Sequence, residues 1–142
     1  MEKIYSRKEP DKILQILFSK SDIPSNHEKS SIQEFSPSES GLQILGHFAP
    51  KGHVVKPHFH NALDRITKLT NEGIIILEGK IELTIYDLDN SPIETRTLIA
   101  GDGALILQGG HKFVVGENAK FFEFKNGPYM GKTKDLTEIK DY

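Results

Sequence analysis

The feature that most constrains this fold is a series of short apolar segments, each closed by turn residues, that begins at Leu42. Apolar and polar residues alternate within the segments, and Gly, Pro, Asn or Asp stand between them. A period of two places one strand face in a core and the other in solvent. The segments are residues 42–49, 53–60, 73–77, 81–88, 93–100, 104–108, 111–116 and 120–124. No long amphipathic helix interrupts them, so we expect an all-β, single-domain antiparallel barrel or sandwich.

The N-terminal third differs from this pattern. Residues 13–18, ILQILF, fit a strand or a short helix by periodicity, and their Ile, Leu and Phe content favours a strand. Residues 24–41 are polar and rich in Ser, which is typical of a long surface loop, and His27 within them is expected to be solvated. The predicted organisation is an N-terminal strand and polar arm over 1–41, a β-barrel over 42–131 and a C-terminal tail over 132–142.

Composition excludes several functional classes. The chain has 142 residues, a formal net charge of -2 and no cysteine. Its basic residues are dispersed, which argues against nucleic-acid binding, and its apolar runs are too short to span a membrane. The charged start, MEKIYSRKEPDK, lacks the apolar segment of a signal peptide. We therefore expect a cytoplasmic protein in which any metal ion is bound by nitrogen and oxygen ligands.

Two histidines in KPHFHN are candidate metal ligands. His58 and His60 stand one residue apart, and on a strand such residues share one face about 6.6–7 Å apart along the backbone. Two imidazoles placed in this way can bind one ion. A lone H-x-H is a weak signal, however, and two solvated imidazoles would produce the same pattern.

The surroundings of this pair resemble the cupin family of small jelly-roll β-barrels. The first cupin motif is G-x5-H-x-H-x3-4-E-x6-G, and Gly52, His58, His60, Glu72 and Gly79 match it except in one spacing. The second motif, G-x5-P-x-G-x2-H-x3-N, is matched more loosely by residues 101–115, which include His111. The resemblance covers residues 42–125.

The resemblance implies a metal site formed by His58, His60, Glu72 and His111. Three nitrogens and one oxygen suit a divalent iron, manganese, nickel, cobalt or zinc ion and can leave coordination positions open. Eleven residues separate His60 from Glu72, where the motif has three or four, so Asp64 is an alternative to Glu72. Glu72 is favoured because an apolar strand and Gly79 follow it. In the second motif Leu107 replaces the proline, and His111 comes one residue early.

Two further residues are candidates for catalysis. Alternation in KFFEF places Phe122 and Phe124 on one strand face and Glu123 on the other, where it would act as a general base if it faced the interior. An outward carboxylate or a salt bridge is the simpler interpretation of Glu123. Tyr129, in NGPYMG, is a candidate proton donor, although packing explains a tyrosine equally well.

The segment FEFKNGPYMG (122–131) is similar to the ending of small single-domain cupins found among genes for surface-polysaccharide synthesis. This similarity implies a sugar or nucleotide-sugar substrate and a metal-dependent isomerase or epimerase. Three alternatives stay open: an iron-dependent dioxygenase, a non-catalytic metal- or ligand-binding module, and a metal-free sugar isomerase that uses a histidine base. Cupins also associate through their sheets, so a homodimer is expected.

Overall fold

The computed structural model describes residues 1–25 and 29–140, and it is an all-β protein with antiparallel strand pairing. Its strands are β1 Glu2–Tyr5, β2 Ile13–Ser19, β3 Ser31–Glu34, β4 Leu45–Phe48, β5 Glu72–Glu78, β6 Lys80–Tyr86, β7 Pro92–Ile99, β8 Asp102–Ile106, β9 Gly110–Val115 and β10 Lys120–Lys125. A 3₁₀ turn spans Lys20–Asp22, and a short helix, α1, spans Lys132–Asp135. Within the described ranges, no helix is long and apolar enough to cross a membrane.

The strands form three sheets. The first has five strands in the order β1-β2-β8-β5-β10, the second pairs β3 with β4, and the third has the order β7-β6-β9. The chain passes from the five-stranded to the three-stranded sheet at Gly79, returns at Gly101, and passes across again at Gly109. β5 therefore lies on the sheet opposite β6 and β7, and β8 lies opposite β9. This arrangement places the ends of β5 and β9 across a common interior.

The core lies between these two larger sheets, as in a β-sandwich. Ile74 and Ile76 of β5 are buried in one cluster with Ile81, Leu83 and Ile85 of β6, and each is at most 1% exposed. Their spacing of two residues produces the inward face that the sequence pattern predicts. Burial of a side chain of this size contributes roughly 1.5–3 kcal/mol, so this cluster stabilises the pairing of the two sheets.

The hairpin of β3 and β4 covers the outer face of the five-stranded sheet. Phe35, which follows β3, is 3% exposed and stacks on Phe18 of β2 with the ring centroids 5.5 Å apart. Gly46 of β4 lies against the Phe35 ring and leaves room for it. The segment predicted as a polar arm thus contributes a strand and a buried aromatic anchor.

The N-terminal segment is fixed by the buried carboxylate of Asp87, which is 1% exposed. The Ser6 hydroxyl donates a hydrogen bond to its Oδ1 atom, and the backbone amides of Arg7 and Leu88 donate to Oδ2 and Oδ1, each at 2.7 Å. Burial opposes ionisation of Asp87, but these hydrogen bonds outweigh it and lower the pKa of the carboxyl group. The first strands are therefore an integral part of the sandwich.

The structure confirms the predicted strands at 13–18 and from residue 73 onward, but it differs from the sequence prediction around the two histidines. Residues 53–71 contain no helix or strand, and the side chains of 53–70 are exposed. Pro57 cannot donate a ladder hydrogen bond, and the carbonyl of Lys56 instead contacts Nδ1 of His58 at 2.9 Å. The strand predicted at 53–60 is thus not formed. Strands β1 and β3 were not predicted, and His27 lies outside the described residues.

Candidate functional site

A cavity of about 960 Å³ opens at the end of the sandwich where β5, β9 and β10 approach one another. Its walls include Glu72, His111, Glu123, Lys125 and Tyr129, together with residues 135–139 of the C-terminal segment. A concave site with a few converging polar groups is the usual form of a small-molecule site. This cavity therefore contains both predicted catalytic residues and two of the four predicted metal ligands.

Glu72 is the first residue of β5 and faces the interior. It shares the inward face with Ile74 and Ile76, because strand residues two apart point the same way. The residue is 6% exposed, and its Oε2 atom forms an ion pair with Nζ of Lys125 at a distance of 2.8 Å. A buried carboxylate needs such a partner, since an unpaired buried charge is strongly disfavoured.

His111 faces Glu72 from the opposite sheet. It pairs with Ile85 of β6, whose side chain belongs to the core, so the imidazole also points inward. Its Nε2 atom lies 3.5 Å from Oε1 of Glu72, and its ring packs against Phe113 with the centroids 5.0 Å apart. Burial lowers the pKa of His111, and the positive charge of Lys125 acts in the same direction, while the negative charge of Glu72 opposes both. The imidazole is therefore mainly neutral near pH 7.

Lys125 and Glu123 complete this group of side chains from β10. The register pairs Lys125 with Glu72 and Glu123 with Ile74, so both β10 residues share the inward face. Nζ of Lys125 lies 2.8 Å from Glu72 and 3.0 Å from Oε1 of Glu123. The hydrogen bond to Glu72 is the main reason that the pKa of Lys125 is raised, with Glu123 contributing in the same direction. We name the four side chains Glu72, His111, Glu123 and Lys125 the inner polar cluster.

The inner polar cluster combines the groups that proton transfer needs. A neutral imidazole can accept a proton, a nearby carboxylate stabilises the imidazolium that results, and an ammonium group stabilises negative charge on a ligand oxygen. The distance from His111 Nε2 to Glu72 Oε1 is longer than a typical N–H···O bond. The two side chains are therefore close enough to interact electrostatically, but they do not form a hydrogen bond of normal length.

The C-terminal segment forms the outer wall of the cavity. Tyr129 lines it and is 71% exposed, and Ile139 lies against Gly110 beside Tyr86. The backbone amide of Met130 donates to the carboxylate of Asp135 at 2.7 Å, which fixes the turn into α1. The tail predicted at 132–142 thus contributes to the site as far as it is described.

The four predicted metal ligands are not brought together in this structure. The rings of His58 and His60 lie 5.3 Å apart, edge to face, on the exposed segment that precedes β5. They do not line the cavity that contains Glu72 and His111, and neither does Asp64. Among residues 1–25 and 29–140, no group of three or more His, Asp or Glu side chains is arranged to hold a metal ion. In addition, Lys125 contacts one Glu72 oxygen, so a cation already occupies that side of the carboxylate. The described arrangement does not fit a four-ligand ion.

The sequence prediction missed Lys125, although the signal was present. The alternation that places Glu123 on one face also places Lys125 there. Alternation alone does not predict the register of β10 against β5, and it is this register that brings Lys125 opposite Glu72.

In comparisons with known proteins, this chain matches no protein-family model, no curated protein and no solved structure. The function is therefore inferred from the inner polar cluster and its surroundings.

Proposed function

We propose that this protein is a cupin-type enzyme that moves a proton on a small polar, sugar-like substrate, as in an isomerase or epimerase of polysaccharide biosynthesis. The observation that supports the proposal most strongly is the pair of inward-facing side chains Glu72 and His111. They come from opposite sheets, lie 3.5 Å apart at Oε1 and Nε2, and share a cavity with Lys125 and Glu123. A cavity of about 960 Å³ has the size expected for a small-molecule site.

The proposed reaction begins with a carbonyl-containing sugar. His111 removes the proton from the carbon next to the carbonyl, and the electron pair of that C–H bond moves to the carbonyl oxygen, which becomes an enolate. Lys125 stabilises the enolate charge, and Glu72 stabilises the imidazolium of His111. To isomerise the sugar, the proton returns to the former carbonyl carbon while the hydroxyl proton on the neighbouring carbon moves to the enolate oxygen, so that the neighbouring carbon becomes the carbonyl. To epimerise it, a proton returns to the opposite face of the carbon that lost one. Glu123 and Tyr129 are the candidate donors for that second step, since both line the cavity.

Solvent-proton exchange tests this proposal even when the product has not been identified. The protein is incubated in D₂O with a panel of nucleotide sugars and the corresponding keto sugars, and deuterium incorporation is followed by NMR. We expect exchange with wild type, a loss of about 100-fold or more in His111→Asn, and no change in His47→Asn, which alters an exposed histidine on β4. Exchange that survives in His111→Asn would contradict the assignment, and saturable binding without exchange would favour a binding module.

A second candidate function is metal-dependent chemistry with His58, His60, Glu72 and His111. Two observations favour it: Glu72 and His111 lie together in the cavity, and the rings of His58 and His60 lie 5.3 Å apart, edge to face. A divalent ion bound there would polarise a substrate carbonyl, and ferrous iron would add dioxygen chemistry. Binding by all four residues requires the segment 53–60 to leave its described position and Lys125 to release Glu72.

Metal analysis of protein purified without a metal-affinity tag separates the two candidates. Stoichiometric iron, manganese, nickel, cobalt or zinc that disappears in the His58→Ala/His60→Ala variant supports the metal site. Full proton exchange by protein that contains no metal supports the proton-transfer mechanism alone. The homodimer expected from the resemblance stays a prediction, and light scattering of the eluting protein measures it.

A further inference from the structure

β10 carries two side chains of the inner polar cluster, Glu123 and Lys125, but it is held along one side only. It is the last strand of the five-stranded sheet, and β5 is its only partner strand among the described residues. A slip of one residue between paired strands turns every side chain of the shifted strand to the other face. The register of β10 on β5 therefore decides whether Lys125 reaches Glu72 at all.

This register is irregular at one end of β10. It shifts between Lys120 and Phe121, at the end of the strand that does not line the cavity. From Phe121 to Lys125 the pairing with β5 is regular. The start of the strand therefore does not dictate the register at the cavity end, where contacts close to Lys125 have to fix it.

Asn126, the residue that follows β10, extends the pairing one step beyond Lys125 through its side chain. Its backbone amide donates to the carbonyl oxygen of Asn71 at 3.3 Å, and its Oδ1 atom accepts from the backbone amide of Asn71 at 2.6 Å. Facing residues of antiparallel strands exchange two backbone hydrogen bonds in this way, and here a side-chain oxygen takes the place of one carbonyl. Nδ2 of Asn126 also donates to the carbonyl oxygen of Leu69 at 3.2 Å.

Asn71, to which Asn126 binds, is itself held by the sheet. It is 6% exposed, and its Nδ2 atom donates at 2.9 Å to the carbonyl oxygen of Leu107, the residue that follows β8. Asn71 therefore joins the ends of β8 and β10 across the start of β5, directly before Glu72. Asn126 thus binds an anchor that a neighbouring strand keeps in place.

We propose that Asn126 is a positioning residue, whose side-chain amide fixes the register of β10 on β5 and thereby holds Lys125 against Glu72. The inference deepens the proposed function and rests on it for its catalytic consequence, because the register places the ammonium group that stabilises the enolate. Asn126 lines the cavity, but its amide is oriented by the backbone groups of Leu69 and Asn71. Its effect on the reaction therefore passes through Lys125.

The coupling between Glu72 and Lys125 measures this role without any substrate. Unfolding in urea is compared for the single and double variants Glu72→Gln and Lys125→Met, first in wild type and then in Asn126→Ala. We expect the pair to change the unfolding equilibrium constant by a coupling factor of about 10 in wild type and about 3 or less in Asn126→Ala. Asn118→Ala, in the exposed turn before β10, is the matched control and should leave the factor at about 10.

An unchanged factor in Asn126→Ala would overturn the inference and assign the register to the packing of Phe124 over Gly73. A factor of about 1 in wild type would overturn it too, because there would be no ion pair to position. If Asn126→Ala does not fold, Asn126→Asp replaces it, since this variant keeps the oxygen that accepts from Asn71 and removes only the donor to Leu69. A factor of about 10 in Asn126→Asp then supports the inference, and a factor of about 3 or less contradicts it.

The solvent-exchange assay adds the catalytic readout. We expect Asn126→Ala to lower kcat about 10-fold with KM changed less than about threefold, and Asn126→Asp to recover kcat to within about threefold of wild type. Wild-type kcat in an Asn126→Ala protein that has lost the coupling would overturn the catalytic part of the inference and leave the proposed function intact. If wild type exchanges no proton on any sugar of the panel, the proposed function fails for those sugars, and the coupling factors still decide whether Asn126 fixes the register.

Discussion

Glu72 and His111 face each other across the two sheets of the sandwich, with Oε1 of one 3.5 Å from Nε2 of the other. Strand periodicity turns each side chain inward, since Glu72 shares a face with Ile74, and His111 is paired with Ile85. The sandwich core therefore holds this carboxylate and imidazole in place, and changes to either residue affect both stability and the site.

Glu72→Gln is expected to lower the free energy of unfolding by about 1–3 kcal/mol, because Lys125 loses its buried anionic partner while it keeps Glu123. The matched control is Glu78→Gln at the other end of β5. Glu78 pairs with Lys120 of β10 in the same way, but both side chains are mostly exposed. We expect a change of less than about 0.5 kcal/mol for the control. Urea denaturation measures both, and equal losses would contradict a buried role for Glu72.

The lowered pKa of His111 predicts a pH dependence of stability in the metal-free protein. As the pH falls below about 6.5, the unfolded chain takes up a proton on this histidine more readily than the folded chain does, so the free energy of unfolding falls. One proton corresponds to at most about 1.4 kcal/mol per pH unit. Denaturation at pH 7.5, 6.5 and 5.5 with a chelator present should show a steeper loss in wild type than in His111→Gln. An identical slope in the two proteins would place the imidazole outside the interior.

The Asp87 carboxylate predicts a separate loss of stability at lower pH. Because its pKa is lowered in the folded state, its contribution is present above the ordinary value near 3.8 and is lost as the pH falls through the folded value. Ser6→Ala removes a hydrogen bond to this carboxylate and is expected to cost about 1–3 kcal/mol at pH 7. Asp89→Asn, in the exposed turn that follows, should cost much less. Equal effects of the two substitutions in urea denaturation would refute the buried hydrogen-bonding role of Asp87.

Two motif glycines with positive φ are expected to tolerate alanine differently. Gly52 has φ of 86° and no atom near the position of an added Cβ, so Gly52→Ala should cost only the backbone strain, about 1–2 kcal/mol. Gly79 has φ of 73°, and an added Cβ would overlap the carbonyl oxygen of Asn118. Gly79→Ala should therefore cost several kcal/mol more or prevent folding. Melting temperatures measure both, and a milder effect at Gly79 than at Gly52 would contradict the close approach of the two chain segments.

The strands from residue 73 onward could be predicted because alternation and turn residues agree there at every step. The same alternation predicts the faces of Glu123 and Lys125. By contrast, the ion pair of Lys125 with Glu72 depends on the register between β5 and β10, which is a long-range property of the sheet. The hairpin strand β3 likewise depends on Phe35 packing against Phe18, a contact that the local sequence of β3 does not encode.

In the segment that contains His58 and His60, the sequence pattern predicted a strand that the structure does not form. HVVKPHFH has strand-like alternation, but a strand also needs a partner edge, and the structure pairs residues 53–60 with no other strand among the described residues. The family resemblance predicted four ligands from motif spacing, and the structure brings together Glu72 and His111 alone of these. The burial of Gln15, whose amide oxygen has no hydrogen-bond partner among the described residues, could not be predicted from the local sequence, because it follows from the placement of β2 between β1 and β8.

The titration of His111 by NMR tests the central relationship most directly. In wild type we expect a pKa below 6.5, because the imidazole is half-buried and lies near the positive charge of Lys125, and the His111→Asn spectrum assigns the signal. In Glu72→Gln the pKa should fall further, because the negative charge that favours the imidazolium has been removed. An ordinary pKa that does not respond to Glu72→Gln would show that the two side chains do not meet between the sheets.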